Sequence, residues 1–431
     1  MRRLGAWAAT AMVVTQVVGV GIFLTPATMI RTLGRTESTL VVWAVMGTLS
    51  AAGALCYAEL ATRFPRAGGG YVFLREAFGP RVAFIYGWMT LLVIDPGLTA
   101  ALGIGLAQYL LATLGESSRQ IVPTAIATIV GFGLLTLGGI ALGARVMRWT
   151  AAAKLVIVAA LAAAAVVRAA GGSPPPLQGL SAGLTTDALA SAVIAAFFAF
   201  GGWWELGRMA GEIESPQRTM PIALVGGIGL VTIIYALASV AFILVSAGPV
   251  PATDDALVSV VGTRLFGDAA GRLLAAMVVV AVAGSLAATL LGAPRVYLAM
   301  ARDGVFPHRL ARFDSARGTS PVLTLLQATL ACGFVLLGTF NEILGYFVPS
   351  AVLFLGLSAA AVLVLPRSHG DATVFRAPLH PLPIVLFLML IVGVLTLFFV
   401  GQPRQTMIGA AVLAAGIPVS YAVIRRPASL S

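Results

Sequence analysis

One lysine is enclosed in apolar sequence, and its chemistry needs an explanation. Lys154 is the only lysine in the chain, whose other basic residues are all arginines, and it lies within the apolar stretch 146–168. It is about nine residues, or roughly 13 Å along a helix, from the start of that stretch. Such a lysine either extends its ammonium group to water along its apolar stem or serves a functional site in the interior. Both interpretations stay open from these residues alone.

Two glycine pairs interrupt other apolar stretches. Gly19 and Gly21 lie in the middle of 4–30, and Gly201 and Gly202 in the middle of 187–212. A glycine within a helix costs about 1 kcal/mol unless close helix packing or an unwound segment makes use of it. Unwinding frees N–H groups that bind a carboxylate and carbonyls that bind an ammonium group. If unwound, the two stretches predict a site for a ligand with both charges, such as an amino acid.

Three further charges lie within apolar sequence. Asp95 precedes Pro96, which removes one backbone donor, so the carboxyl group serves either a structural hydrogen bond or a function. Glu205 and Arg208 are three residues apart, and this spacing favours mutual neutralisation over a site for a substrate cation.

The two cysteines lie inside apolar stretches. Cys56 and Cys332 lack the spacing of metal ligands, and two cysteines do not make a disulfide framework. We therefore expect no metal and no cofactor.

The elements that hold these residues follow from composition. Of 431 residues, 59% are hydrophobic and 10% charged, against about 25% charged in a soluble domain. Apolar runs of roughly twenty residues recur, the length of a helix that crosses a bilayer, and stretches such as 273–291 are apolar on every face, unlike barrel strands. The net charge of +11 is spread between apolar runs rather than gathered in a patch, so no nucleic-acid partner is expected. We predict an all-α membrane protein in a lipid bilayer.

Breaks in the apolar pattern predict twelve transmembrane helices, at about 4–30, 38–62, 81–112, 121–142, 146–168, 187–212, 220–247, 270–301, 320–340, 342–365, 380–400 and 405–424. The connections 171–186 and 248–268 are too short to fold as domains. Most arginines fall in loops that share a side with the N-terminus. The positive-inside rule therefore predicts a multi-pass protein of the cell membrane with both termini in the cytoplasm.

The glycine pairs lie in predicted helices 1 and 6, five helices apart. Discontinuous helices at matching positions are typical of transporters built from two inverted repeats. Five is an odd number, so the second repeat enters the membrane from the opposite side.

Three motifs carry a resemblance to a known family: VVGVGIFLTP at 17–26, GALCYAEL at 53–60 with FPRAGGGY at 64–71, and FAFGGW at 198–203 followed by Glu212 and Pro216. They resemble the amino acid-polyamine-organocation superfamily, and within it the L-type amino acid transporters and their bacterial relatives. The resemblance implies a LeuT-like 5+5 inverted repeat in residues 1–365, with repeats at about 1–168 and 187–365. Residues 366–431 would carry the peripheral helices 11 and 12.

The same resemblance implies an α-amino acid substrate and a set of binding residues. The amides around Gly19, Val20 and Gly21 would bind the carboxylate, and the carbonyls of Phe198, Ala199 and Gly201 the amino group. Phe198 would be the aromatic extracellular gate. Lys154 would occupy the place that a sodium ion takes in sodium-coupled relatives. The full predicted binding set is Val17, Val18, Gly19, Val20, Gly21, Ile22, Phe198, Ala199, Phe200, Gly201, Trp203, Trp204 and Glu205.

Some residues depart from the family pattern. Val20 replaces a serine of the family motif, Trp204 and Glu205 replace smaller polar residues, and Asp95 stands where L-type members often have arginine. The loop 115–120 contains no cysteine, so we expect no disulfide-linked ancillary subunit.

These observations predict secondary transport of α-amino acids, preferably neutral ones because Glu205 and Arg208 offset each other. Alternating access, without sodium and by exchange or proton symport, is the expected mechanism. The alternative classes are a membrane-embedded enzyme and a receptor or channel. The sequence offers no catalytic set at membrane depth, and an enzyme is not expected.

Overall fold

The computed structural model describes residues 5–19, 21–33, 36–65, 68–137, 154, 156–157, 185–245, 257–307, 320–366 and 374–424, and these are helical with turns between the helices. The first part contains α1 (Ala6–Val17), α2 (Gly21–Leu33), α3 (Thr36–Arg63), α4 (Gly70–Phe78), α5 (Pro80–Met89), α6 (Asp95–Leu114) and α7 (Ile121–Thr136). The second part contains α8 (Thr186–Ala199), α9 (Pro216–Val245), α10 (Leu257–Phe266), α11 (Asp268–Gly292), α12 (Pro294–Arg302), α13 (Pro321–Val335), α14 (Phe340–Val364), α15 (Leu382–Gly401) and α16 (Pro403–Val423).

Nine helices of the described ranges are long and apolar enough to cross a membrane. They correspond to nine of the twelve predicted helices. Two shorter apolar helices, α1 and α13, fall on predicted helices 1 and 9. Predicted helix 5 lies outside the described residues except for Lys154, Val156 and Ile157, which are helical. A multi-pass membrane protein is therefore supported, and the number twelve stays a prediction.

Both predicted interruptions are present. The first apolar stretch divides into α1 and α2 between Val17 and Gly21, and Val20 lies outside the described residues. The second divides after Ala199, where the chain turns through Gly202 at φ +110° and continues as a 3-10 helix over Trp203–Glu212. A positive φ of this size is open to glycine and strained for other residues. The expectation of an α-helix through residue 212 is therefore corrected to a 3-10 helix beyond the break.

Proline produces two further departures from the predicted helices. Predicted helix 8 is divided at Ala293 because Pro294 begins a new helix. Predicted helix 3 contains a π-helical turn at Thr90–Ile94, immediately before Asp95 and Pro96. Because Pro96 has no N–H to donate to the carbonyl four residues earlier, the regular hydrogen-bond ladder is interrupted there.

Two short helices lie in segments that the sequence assigned to connections. α4 lies between α3 and α5, and α10 falls within the connection 248–268. Tyr71 of α4 donates to Asp303 Oδ2 at 2.9 Å, and Arg75 Nη1 of the same helix lies 2.5 Å from that oxygen. These contacts attach α4 to the end of α12.

The remaining helices pack around the two broken ones. α1 packs against α9, α2 against α8, and α3 against α9. The buried Trp43 Nε1 of α3 donates to Ser239 Oγ of α9 at 2.7 Å, which satisfies both polar groups inside an apolar bundle. This packing brings the two interruptions together.

Candidate functional site

The two helix interruptions touch each other. A Cβ atom on Gly21 would lie 2.7 Å from Ala199 Cα, and one on Gly202 would lie 3.0 Å from the carbonyl oxygen of Gln16. Only a residue without a side chain allows α2 to approach α8 so closely. The start of α2 and the end of α8 therefore meet at one point of the bundle.

Tyr235 of α9 connects the two interruptions. Its Oη lies 2.8 Å from the carbonyl oxygen of Val17 and 2.9 Å from that of Ala199, so one phenol proton is shared between the last residue of α1 and the last residue of α8. The side chain is fully buried, and its ring packs against Trp43 and Phe200. Tyr235 thereby fixes the distance between the two breaks.

A cavity of about 340 Å³ opens at this junction, a size typical of small-molecule sites. Eight of the predicted binding residues line it: Val17, Gly19, Gly21, Phe198, Ala199, Gly201, Trp204 and Glu205. Four others, Val18, Ile22, Phe200 and Trp203, are buried and do not line it; they pack behind the wall, with Trp203 edge-on to Tyr57 at 5.2 Å between ring centroids. Val20 lies outside the described residues.

The backbone N–H and carbonyl groups at the two breaks differ in whether they are free to hydrogen-bond to a ligand. The N–H of Gly19 donates to Val17 O at 2.6 Å, and Phe198 O accepts from Gly201 N–H at 2.9 Å. Ala199 O is within reach of Tyr235. The first N–H groups of α2, from Gly21 onward, have no acceptor within their helix. The carboxylate end of a ligand therefore has better donors at the start of α2 than at Gly19.

Phe198 lies at an aromatic boundary of the cavity. Its ring stands edge-on to Phe340 at 5.5 Å and to Phe347 at 6.2 Å between centroids, a favourable arrangement of aromatic quadrupoles. Both partners belong to α14, so the contact joins α8 to a helix distant in sequence. Phe198 and Phe347 also line the cavity.

Lys154 lies 4% exposed within the bundle. Its Nζ donates to the carbonyl oxygen of Thr15 at 2.9 Å and to Ser285 Oγ at 3.0 Å. Thr15 belongs to the last turn of α1, and Ser285 belongs to α11 and lines the cavity. The ammonium group therefore connects three helical segments beside the first break.

Charged residues occupy another wall of the cavity. Glu205 Oε2 and Arg208 Nη1 are 2.9 Å apart, as their spacing predicts, and Arg208 also hydrogen-bonds to Tyr86. Asp95 is 4% exposed, and its Oδ2 accepts from Tyr297 Oη at 2.7 Å. Within the described ranges, no group of three or more metal-ligating side chains could hold a metal ion.

Sequence reasoning missed several residues of this site. Tyr235, Tyr297 and Ser285 meet Val17, Asp95 and Lys154 across 218, 202 and 131 positions of sequence, respectively, and no local pattern marks them. The one available signal was proline, because Pro294 predicts the kink that precedes Tyr297.

Comparisons with known proteins agree with this architecture. A family model described as amino acid permease matches residues 4–421. The serine/threonine exchanger SteT of Bacillus subtilis (strain 168) is 25% identical over 432 residues, which cover 99% of this chain and 98% of the relative. The b(0,+)-type amino acid transporter 1 of Mus musculus is 27% identical over 93% of this chain and 82% of its own length. The human cystine/glutamate transporter is 26% identical over 96% and 83%, respectively.

Proposed function

Because the chain belongs to the amino acid permease family, we propose that it carries α-amino acids across the cell membrane by alternating access, as a secondary transporter. The observation that carries the proposal is the meeting of the two helix breaks at one cavity. The positive end of α2 and the negative end of α8 both reach this cavity, and together they complement the two charges of an amino acid.

A neutral amino acid suits the charges around the cavity. Asp95 and Glu205 contribute two negative charges, and Arg208 and Lys154 contribute two positive ones. Uncompensated charge is costly at membrane depth. A zwitterion with an uncharged side chain leaves this balance unchanged, whereas a cationic or anionic substrate adds one charge.

The proposed mechanism assigns roles to two side chains. Phe198 closes the outer side of the cavity against α14 and releases it when the substrate path opens outward. Lys154 supplies beside the first break the positive charge that a sodium ion would otherwise bring, so transport proceeds without sodium. Exchange and proton symport are both compatible with this arrangement.

The proposed overall arrangement is a LeuT-like 5+5 inverted repeat of twelve helices. Residues 1–365 form the transport core, and residues 366–431 hold two peripheral helices. Both termini lie in the cytoplasm. Support comes from the interruptions in the first and sixth predicted helices and from the distribution of arginines.

Uptake into proteoliposomes tests the proposed function. The purified protein, reconstituted in sodium-free buffer, is given radiolabelled neutral amino acids with and without unlabelled amino acid inside the vesicles. We expect saturable uptake, and stimulation by internal amino acid indicates exchange whereas stimulation by an inward proton gradient indicates symport. Empty liposomes are the control. Absence of uptake both with internal amino acid and with an inward proton gradient contradicts the proposal, as does uptake that requires sodium.

A further inference from the structure

Asp95 has an incomplete set of hydrogen bonds for a buried carboxylate. A carboxylate offers about four acceptor sites, and the described part of the chain supplies Asp95 with one donor, Tyr297 Oη. Glu205 forms a direct ion pair with the nearby Arg208. In the described part of the chain, no basic group lies within 4.0 Å of the Asp95 carboxylate. Asp95 lines the cavity. A ligand in the cavity can therefore supply the missing donor.

The local backbone directs Asp95 to this wall. The π-helical turn ends at Ile94, immediately before Asp95. Such turns shift the helix face by one residue and are frequent at functional sites. Asp95, Leu98 and Leu102 follow one another at helical spacing and all line the cavity. One helix face therefore presents a carboxylate next to an apolar surface.

Tyr297 holds the carboxylate in this position. It belongs to α12, it is 1% exposed, and its ring stacks on Phe306 with centroids 5.9 Å apart. Tyr297 donates to Oδ2 of Asp95 from a different helix. This contact fixes the orientation of the other carboxylate oxygen, Oδ1. Tyr297 is thus a positioning residue for the carboxylate.

We propose that Asp95 is the specificity-determining acceptor of a side-chain subsite for uncharged amino acids that end in a hydrogen-bond donor, a hydroxyl or a carboxamide. The inference rests on the proposed function and narrows its substrate class. Bound threonine satisfies the carboxylate, whereas bound valine, of nearly the same shape, displaces water and leaves the carboxylate without its second donor. Sites built to hydrogen-bond a substrate group discriminate strongly against analogues that lack the group.

Uptake of amino acids of matched shape into sodium-free proteoliposomes tests the subsite. Uptake of L-threonine, L-valine, L-lysine and L-norleucine is measured for the wild type, Asp95→Leu, Tyr297→Phe and the control Glu116→Gln, an exposed carboxylate away from the cavity. We expect kcat/KM for threonine to exceed that for valine by at least about tenfold in the wild type and in the control. Asp95→Leu removes this preference while it retains valine uptake. Tyr297→Phe reduces the preference for threonine over valine in kcat/KM. If Tyr297 had a purely structural role, the substitution would lower kcat/KM equally for both substrates.

Each other outcome has a defined meaning. A wild type that prefers valine, or an unchanged ratio in Asp95→Leu, overturns the subsite and leaves transport standing. Lysine uptake well above that of norleucine and threonine overturns it as well, because Asp95 then binds a cation. Uptake of none of the four amino acids contradicts the proposed function itself. If Asp95→Leu does not fold, Asp95→Ala takes its place because it also lacks an acceptor, and an unchanged threonine-to-valine ratio in that variant overturns the subsite.

Discussion

At the scale of single residues, Lys154 is a cation whose partners are neutral. Its ammonium group donates to a carbonyl oxygen of α1 and a hydroxyl of α11, so it joins the first helix break to the cavity wall without an acidic partner in the described residues. The role that we propose for this group during transport is either to connect moving helices or to exchange a proton. The two roles predict different behaviour of substitutions.

Lys154→Ala should lower transport by at least about tenfold, because two partly buried acceptors lose their donor, and an unsatisfied buried acceptor costs about 1–3 kcal/mol. Lys154→Arg keeps the charge and does not release a proton at physiological pH. If the lysine only connects helices, arginine partly restores sodium-free uptake; if it carries a proton, arginine does not. A fully active Lys154→Ala protein would show that the ammonium group has no role in transport.

Phe198 is the second residue with a distinct expectation. Phe198→Ala should reduce substrate affinity about tenfold, equivalent to about 1.4 kcal/mol, because the ring that we propose closes the outer side of the cavity against α14 is removed. The midpoint temperature of thermal unfolding should fall by no more in Phe198→Ala than in Phe334→Ala. Phe334 is the matched control, since it also stands edge-on to an aromatic ring, Tyr346 at 6.2 Å, but does not line the cavity. An equal loss of substrate affinity in both variants would contradict the assignment of Phe198 as the gate.

At the scale of elements, α4 packs against α5 and α14, and polar contacts with Asp303 also join it to the end of α12. Burial raises the pKa of Tyr71, and the hydrogen bond to Asp303 raises it further. The phenol therefore stays protonated and donates to Asp303 at neutral pH. The same carboxylate pairs with Arg75, whose side chain and partner are about a quarter to a third exposed, 26% and 30%. Solvent screening keeps such a pair weak, and the buried tyrosine makes the attachment specific.

Asp303→Asn should loosen α4 without unfolding the bundle. The expected change is amide hydrogen exchange in residues 70–78 that is faster by about three- to tenfold, since one weak ion pair and part of a hydrogen bond are lost. Glu76→Gln is the matched control, because among the described residues Glu76 forms its ion pair with Arg75 of the same helix and not with α12. Exchange mass spectrometry of both variants in lipid nanodiscs measures the effect. Unchanged exchange in Asp303→Asn would show that other contacts hold α4.

Local chemistry explains which elements could be predicted. The glycine pairs predicted both helix interruptions, and Glu205 with Arg208 predicted their ion pair, because these signals act within a few residues. The 3-10 helix after Gly202, the division at Ala293 and the helices α4 and α10 were missed or misassigned. The division at Ala293 had a local signal in Pro294, whereas the 3-10 helix and α4 pack against helices distant in sequence. Tyr235, Ser285 and Tyr297 could not be identified from the sequence either, since they meet Val17, Lys154 and Asp95 across 218, 131 and 202 residues, respectively.

At the scale of the whole molecule, apolar helices and a small set of balanced charges define the protein. Most polar side chains inside the bundle bond to carbonyls of their own helices, as Thr25 does to Gly21 O at 2.8 Å. Some bond between helices beside the cavity, as Tyr235 and Lys154 do. Others do so elsewhere in the bundle, as Trp43 does to Ser239. The contacts of Tyr235 and Lys154 join the two broken helices to their neighbours.

Binding of an amino acid to the wild type and to Gly19→Val tests whether the first helix break holds the substrate carboxylate. A Cβ on Gly19 meets no atom closer than 3.8 Å, and Gly19 lines the cavity together with Gly21, so a valine side chain there takes up ligand space beside the first N–H groups of α2. Gly131→Val, whose Cβ has no neighbour within 4 Å, is the matched control. Isothermal calorimetry in detergent, with L-threonine and its methyl ester, reports binding. The wild type and Gly131→Val should bind threonine but not the ester, whose carboxylate charge is absent, and Gly19→Val should bind neither. Threonine affinity unchanged in Gly19→Val, or equal affinity for the ester, would contradict a carboxylate site at the first helix break.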